Sequence, residues 1–333
     1  MRCRDIGLGH HNRSKWRPRI DNHIQRAFGN ACLTDHDIIF NARQIVKLKE
    51  ILMKRPFQET PLLIRTLISI NRLEIEKSLK RKIMLTWFKV FFLKRYDSKN
   101  RIANILGFKL KFLSCLELSF LFREIFLDNE YYFVCGNDSP YIIDCGSNIG
   151  MSILYFKVLY PHSRIVAFEP GEETYSCLEE NVKNNRLNSV ALHKAALSSK
   201  EGTIELYYDQ DNVSSLRTST KKERMPKQRR TVEAMLLSKY IHEDVDFLKI
   251  DIEGSELEVI EELSNAKKLR YVKQMVIEYH HHIARESDVF SRMLMLLEDA
   301  GFGYQIESFL RRPFAREQFQ DIMVYAYRKE STA

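Results

Sequence analysis

The chain has no long hydrophobic run. Its most apolar stretch, Ile83-Met-Leu-Thr-Trp-Phe-Lys-Val-Phe-Phe-Leu93, contains Lys89 and falls short of the roughly 20 apolar residues that a bilayer-spanning helix needs. It reads instead as a buried helix or strand. The opening residues Met1-Arg-Cys-Arg-Asp-Ile-Gly7 lack the apolar segment of a secretory leader. The six cysteines (Cys3, Cys32, Cys115, Cys135, Cys145 and Cys177) form no C-x-x-C pair and no zinc spacing. Reduced thiols and a cytoplasmic location are therefore expected. Only Trp16 and Trp87 represent tryptophan, and the basic segments lack the interleaved aromatics on which bases stack, so no nucleic-acid partner is expected. Internal repeats and low-complexity tracts are missing as well.

What is present suits a globular protein: 333 residues, 44% hydrophobic and 29% charged. The net charge of +8 is unevenly spread, since residues 1–100 hold 22 Lys and Arg against 9 Asp and Glu. A solvated basic face is the simpler reading. The alternative is an anionic partner, with peripheral association of this region with a membrane surface the form it would take. Residues 1–35 read as a basic tail with little order, residues 36–100 as a basic helical region, and residues 101–333 as the main domain, with its core at 141–300. Within the second segment, Ala42–Lys54 and Leu62–Lys80 have helical spacing, separated by Pro56 and Pro61.

From Ile105 to Leu113 apolar and polar residues alternate, which predicts a strand, and Leu116–Leu127 predicts a helix. A regular alternation follows. Strands are expected at 141–144, 164–169, 190–196, 202–208, 245–251, 273–279, 304–308 and 322–328, and helices at 150–158, 172–184, 255–263 and 287–300. This pattern predicts an α/β fold, a mostly parallel sheet with helices on both faces and the last two strands as an antiparallel edge. The polar, basic stretch 214–230 shows neither strand nor helix signal. It is read as a loop, either over the active site or merely exposed.

In such sheets ligands sit beyond the carboxyl ends of the strands. The first strand leads into Asp144-Cys-Gly146-Ser-Asn148-Ile-Gly150. A pyrophosphate site wants G-x-G-x-x-G. Asp144 in the first glycine's place would repel phosphate and suits a cationic ligand instead. The second strand ends in Phe168-Glu169-Pro170, with Glu169 placed to accept hydrogen bonds from a ribose. Ala195 and Ala196 could leave room for an adenine ring. The next two parallel strands end in Lys249-Ile-Asp251-Ile-Glu253-Gly254 and Glu278-Tyr-His280. Asp251, Glu253, Glu278 and His280 would meet in one crevice, where carboxylates and an imidazole can deprotonate a hydroxyl. Helix capping or a divalent metal is the alternative for Asp251 and Glu253. His281 and His282 are read as surface residues, and no metal site is assigned.

Taken together, Ile143-Asp-Cys-Gly-Ser-Asn-Ile-Gly150, Phe168-Glu-Pro170, Ala195-Ala-Leu197, Lys249-Ile-Asp-Ile-Glu-Gly254 and Glu278-x-His280 resemble the FkbM-type methyltransferases. The resemblance covers about Tyr141 to Ala300. It implies a Rossmann-like class I methyltransferase fold that uses S-adenosyl-L-methionine, with O-methylation of a hydroxyl on a sugar, glycan or secondary metabolite. It further implies that Asp144, Gly146, Asn148 and Gly150 line the methionine side, that Glu169 holds the ribose, and that Asp251, Glu253, Glu278 and His280 face the acceptor. Three alternatives stand beside it: a nicotinamide-dependent sugar oxidoreductase, a basic nucleic-acid-binding methyltransferase-like module, and an inactive methyltransferase-like module. The intact motif set speaks against the last.

Overall fold

The computed structural model describes residues 77–93, 101–208, 218–221, 228–281, 289–308 and 320–329. The chain divides into residues 1–65 and residues 66–333, and everything described belongs to the second unit. The expected tail at 1–35, the helix at 42–54 and most of that at 62–80 lie outside the described residues.

The most buried strands lie at the centre. β3 (Tyr141–Cys145) and β10 (Val245–Ile250) are buried at every position, as their almost unbroken apolar runs require of parallel strands covered on both faces. Around them β4 (Arg164–Phe168), β5 (Val190–His193), β11 (Val272–His281), β12 (Phe302–Ser308) and β13 (Gln320–Arg328) complete a seven-stranded sheet of order β12-β13-β11-β10-β3-β4-β5. The five strands from β11 to β5 run parallel, whereas β13 is antiparallel to both β11 and β12. The expected antiparallel edge is thus present. From β3 the chain goes to β4 on one side, while β10 flanks it on the other. The strand order reverses there, which opens a crevice at the carboxyl ends. Helices α3 (Met151–Leu159), α4 (Glu172–Asn184), α5 (Glu256–Asn265) and α6 (Phe290–Asp299) follow β3, β4, β10 and β11 in the chain. Glu172 and Glu173 in the first turn of α4, and Glu256 and Glu258 in that of α5, favour those helix N-termini electrostatically.

Three expectations need correction. The alternating stretch 105–113 is not one strand. It is a hairpin of β1 (Ile102–Ile105) and β2 (Phe108–Lys111). Leu106 and Gly107 both have positive φ, +52° and +97°, the pattern of a two-residue turn matched to strand twist. The strand expected at 190–196 stops at His193, and Ala196–Leu197 (β6) joins a second sheet. That sheet, of order β6-β9-β7-β8, contains β7 (Gly202–Tyr208), β8 (Thr218–Ser219) and β9 (Gln228–Met235). Part of the supposed loop at 214–230 is therefore strand.

The hairpin docks on α4 through two asparagines one helical turn apart. Asn185 accepts from Lys109 N (2.7 Å) and donates to Lys109 O (2.9 Å). Asn181 does the same for Lys111, at 2.7 and 2.9 Å. Helix α1 (Lys77–Leu93), expected to belong to the N-terminal region, packs on this same unit. Trp87 stacks on Phe122 of α2 (Cys115–Phe122) at 6.2 Å, and Phe122 stacks on Phe126 at 5.0 Å. α2 continues into a wider π-helical turn, Arg123–Leu127. Among the described residues no helix is long and apolar enough to cross a membrane.

Candidate active site

A cleft opens at the carboxyl ends of β3, β4 and β10. One wall is the turn after β3. Gly146 N and Ser147 N both donate to Phe168 O, at 3.0 and 2.9 Å, which ties this turn to the end of β4. Gly146 has φ +87°, and a Cβ there would stand 1.8 Å from the Asp251 carbonyl oxygen. Only glycine lets the turn lie so close to the end of β10. Asn148, at φ +51°, donates its N–H to Glu169 Oε2 at 2.8 Å. Glu169 Oε1 accepts from Gly171 N (2.8 Å) and Thr174 Oγ1 (2.7 Å). Burial raises the Glu169 carboxyl above its ordinary range, opposed by those three hydrogen bonds and by Lys249. Gly146, Asn148, Glu169 and Ala196 all line the cleft, as do Ala195, Leu197 and Leu206.

Asp144 and Gly150 lie elsewhere. Asp144 is fully buried and is not on the cleft wall. Its Oδ2 accepts from Ser152 Oγ at 2.5 Å, and its Oδ1 lies 3.3 Å from Lys249 Nζ. The β3–β10 register pairs Asp144 with Lys249 directly, so an internal cation meets its charge. Gly150 caps α3 at φ +88°, where a Cβ would stand 2.8 Å from Leu178. Its smallness serves helix packing.

Lys249 was missed as a site residue. It is 2% exposed, donates to Gly146 O at 2.8 Å, lies 3.5 Å from Asp251 Oδ2 and stands 5.0 Å above the Tyr131 ring. Burial opposes its charge, but Asp144 and Asp251 outweigh that and hold the ammonium above its ordinary value. The signal was available: a lysine inside a strand buried at every position needs a carboxylate at the same depth.

The other end of the cleft is acidic. Asp251 and Glu253 line it, and Asp251 Oδ2 accepts from Tyr131 Oη at 3.3 Å. His280, expected near them, is there and is 5% exposed. Its Nε2 lies 3.2 Å from Glu253 Oε2, 3.8 Å from Glu278 Oε1 and 4.0 Å from Asp251 Oδ1. All four expected residues therefore meet. Two ligand-like sets arise there, Asp251 with Glu253 and His280, and Glu278 with His280 and Asp321, each bringing its atoms within 4.8 Å. His281, read as a surface residue, is half-buried, and His282 lies outside the described residues. From the stretch read as a loop, Ser219 donates to Glu253 O at 2.6 Å, and Thr220 lines the cleft.

Burial, then the neighbouring Asp251 charge, pushes the Glu278 carboxyl well above its usual range, with His280 opposing. Glu130, another acid that sequence reading passed over, is pushed up to about 8, first by burial and then by Glu124, Asp128 and Asp251. A group whose folded pKa is raised holds a proton that the unfolded chain has already released. Its stabilising contribution is full below the unfolded value near 4.5 and is lost as pH rises toward 8. Glu130→Gln should therefore match the parent at pH 5 and exceed it at pH 8.5, by about 1–2 kcal/mol after allowance for partial exposure. Urea unfolding at the two pH values checks this.

A carboxylate at the end of β4, small apolar walls and a cluster of acids opposite fit a ligand that carries a nucleoside and a positive charge. Comparison with known proteins agrees. The sequence profile described as "Methyltransferase FkbM domain" matches residues 144–304. The chain is 28% identical over 213 residues to "Methyltransferase 1" of Beauveria bassiana (strain ARSEF 2860), covering 58% of this chain and 84% of that protein. It is 29% identical over 250 residues to "Methyltransferase sdnD" of Sordaria araneosa, covering 66% and 93%. Over 97 residues it is 30% identical to "31-O-demethyl-FK506 methyltransferase FkbM" of Streptomyces tacrolimicus, covering 28% and 37%. The nicotinamide-dependent alternative accordingly falls away. Residues 144–304 match the methyltransferase FkbM domain and the chain is similar to methyltransferases across that span; it is an S-adenosylmethionine-dependent methyltransferase.

Proposed function

We propose that the protein methylates a hydroxyl oxygen of a sugar, glycan or secondary metabolite. The observation that carries this reading is the buried His280, whose Nε2 faces Glu278 and the two cleft-lining acids Asp251 and Glu253 within 4.0 Å. An imidazole among carboxylates can take a hydroxyl proton and hold the resulting positive charge. The Streptomyces relative, whose name places its reaction at a 31-O position, supports oxygen as the acceptor atom.

In this reading Gly146, Asn148, Glu169 and Ala196 hold the cofactor. The backbone turn would lie against its methionine portion, Glu169 would accept from the ribose, and Ala196 would leave room for the adenine. Asp144 and Gly150 support that turn from behind. When bound, S-adenosylmethionine would supply the methyl group that the acceptor oxygen takes. Asp251, Glu253 and Glu278 accept hydrogen bonds from the acceptor's hydroxyls and orient one of them, while His280 Nε2 receives its proton. Orientation of this kind can contribute about 7–11 kcal/mol to lowering a barrier.

The test is titration calorimetry with S-adenosylmethionine, followed by methyl transfer to a panel of polyols, phenols and macrolides. Glu169→Ala should weaken cofactor affinity about tenfold. Glu253→Ala and His280→Ala should keep that affinity and lower turnover by about 10²–10⁴-fold. A product methylated on nitrogen or carbon would overturn the assignment to oxygen.

A further inference from the structure

β13 has two faces, and only one of them belongs to the core. Ile322, Val324 and Ala326 share a core cluster with Met293 and Leu297 of α6. The residues between them point the other way. On that side the register sets Asp321 beside His280 and Met323 beside Glu278, and Tyr325 and Tyr327 continue the row. The same face therefore runs from the acceptor residues of β11 outward to β12. Its outer part is open: Met323 and Tyr325 are half-buried, and Glu307, paired with Met323 from β12, is exposed. Tyr327 stands opposite Gly303, where a Cβ would lie 2.9 Å from Cε2 and Cζ of the tyrosine ring. The ring is thus laid against β12 over a glycine, yet the residue keeps 46% of its exposure. Burial, then the charges of Glu130, Glu307 and Glu278, raise the Tyr325 hydroxyl above its ordinary value, so three carboxylates lie near it.

We infer that this open face of β13 and β12 is an extended acceptor subsite, and that it takes a neutral or amine-bearing oligosaccharide. The inference deepens the proposed O-methylation and rests on it. A strand rises about 3.4 Å per residue, so Tyr325 stands roughly 14 Å and Tyr327 roughly 20 Å along β13 from Asp321, the partner of His280. One sugar ring does not span that length, and a short chain of sugars does. A pyranose presents C–H groups on its ring face and hydroxyls around its rim. The C–H face packs on an exposed tyrosine ring, and carboxylates accept strong hydrogen bonds from the rim hydroxyls. The same acids repel a uronate, sulfate or phosphate, because like charges brought together are strongly disfavoured. A hydrocarbon-rich acceptor would use the rings and leave the acids unused.

Binding of the full chain to a printed array of neutral, amino and acidic glycans, with S-adenosylhomocysteine present, tests this before the acceptor is known. Neutral or amine-bearing oligosaccharides should be retained, and sulfated and uronic glycans should stay blank. By titration, Tyr327→Ala should weaken a retained oligosaccharide about five- to tenfold and leave S-adenosylmethionine affinity within about twofold of the parent. Tyr327→Phe, which keeps the ring, should match the parent. The terminal monosaccharide should bind parent and Tyr327→Ala equally, since it reaches only the acceptor end. A blank array, retention of acidic glycans, or equal oligosaccharide binding by parent and Tyr327→Ala would overturn the inference. If Tyr327→Ala does not fold, the parent alone decides: the oligosaccharide must bind at least about fivefold tighter than its terminal monosaccharide. Failure of the O-methylation reading would show separately. Methyl transfer to nitrogen or carbon of a retained glycan would leave the subsite standing, whereas a blank array beside O-methylation of a phenol would remove the subsite and keep oxygen as the acceptor atom.

Discussion

Replacing Gly146 by alanine is expected to cost the domain about 2–5 kcal/mol, a large share of a domain's total stability. Two effects add. A left-handed backbone is strained by about 1–2 kcal/mol once a Cβ is present. Overpacking against a fixed group costs about 1–3 kcal/mol more. Here the group is the Asp251 carbonyl, 1.8 Å from the new carbon, and backbone cannot rotate away as a side chain would. Relief requires the turn after β3 to separate from the end of β10, which breaks the Asp251 N–Cys145 O hydrogen bond of 3.1 Å. Gly107→Ala is the control. Its φ is +97°, but nothing lies within 4 Å of the new carbon, so only the strain should register. Urea unfolding of both variants separates the effects. Equal losses would refute the clash.

The second large effect concerns the buried pair across β3 and β10. Lys249→Met should destabilise by about 3–5 kcal/mol, because Asp144 would remain charged in a site with no exposure and no cation. Adding Asp144→Asn in the same chain should recover most of the loss. The asparagine keeps an acceptor for Ser152 and has no charge to leave unpaired, and replacing a buried pair as a whole is often close to neutral. A double-mutant cycle by denaturant unfolding reads the coupling directly, and a Lys249→Met loss below about 1 kcal/mol would show that the pair is not coupled. Such a result would also remove the reason given for Asp144's absence from the cleft wall.

The central alternation was legible because buried parallel strands announce themselves as apolar runs bounded by helix starts. Tyr141–Cys145, Arg164–Phe168 and Val245–Ile250 all read in this way. Gln228–Met235 did not, since only one face of it is covered and its start is basic. Those charges are matched across space: Arg229 reaches Glu205 at 2.7 Å, and Arg230 reaches Glu173 at 3.1 Å while lying 4.3 Å above the Tyr208 ring. A run of arginines in one dimension became a strand laced to its neighbours in three. The meeting of Asp251, Glu253, Glu278 and His280 was legible because adjacent strand ends must converge. The contact of Glu256 with His280 Nδ1, at 2.7 Å, was hidden, because any helix welcomes acids in its first turn. The ion pair of Asp144 was illegible for a related reason. Its partner lies 105 positions along the chain, at Lys249, and only the strand register brings the two together.

The asparagine pair on α4 has a consequence for association between molecules. A short hairpin beside a larger sheet normally presents one edge of unpaired amides and carbonyls, on which another chain can add a strand. In this protein Asn181 and Asn185 already occupy the groups of Lys111 and Lys109. The hairpin is therefore closed to templating there by two side chains, with no strand laid against it. Losing either amide would reopen a short recognition edge and turn a folding element into a point of self-assembly.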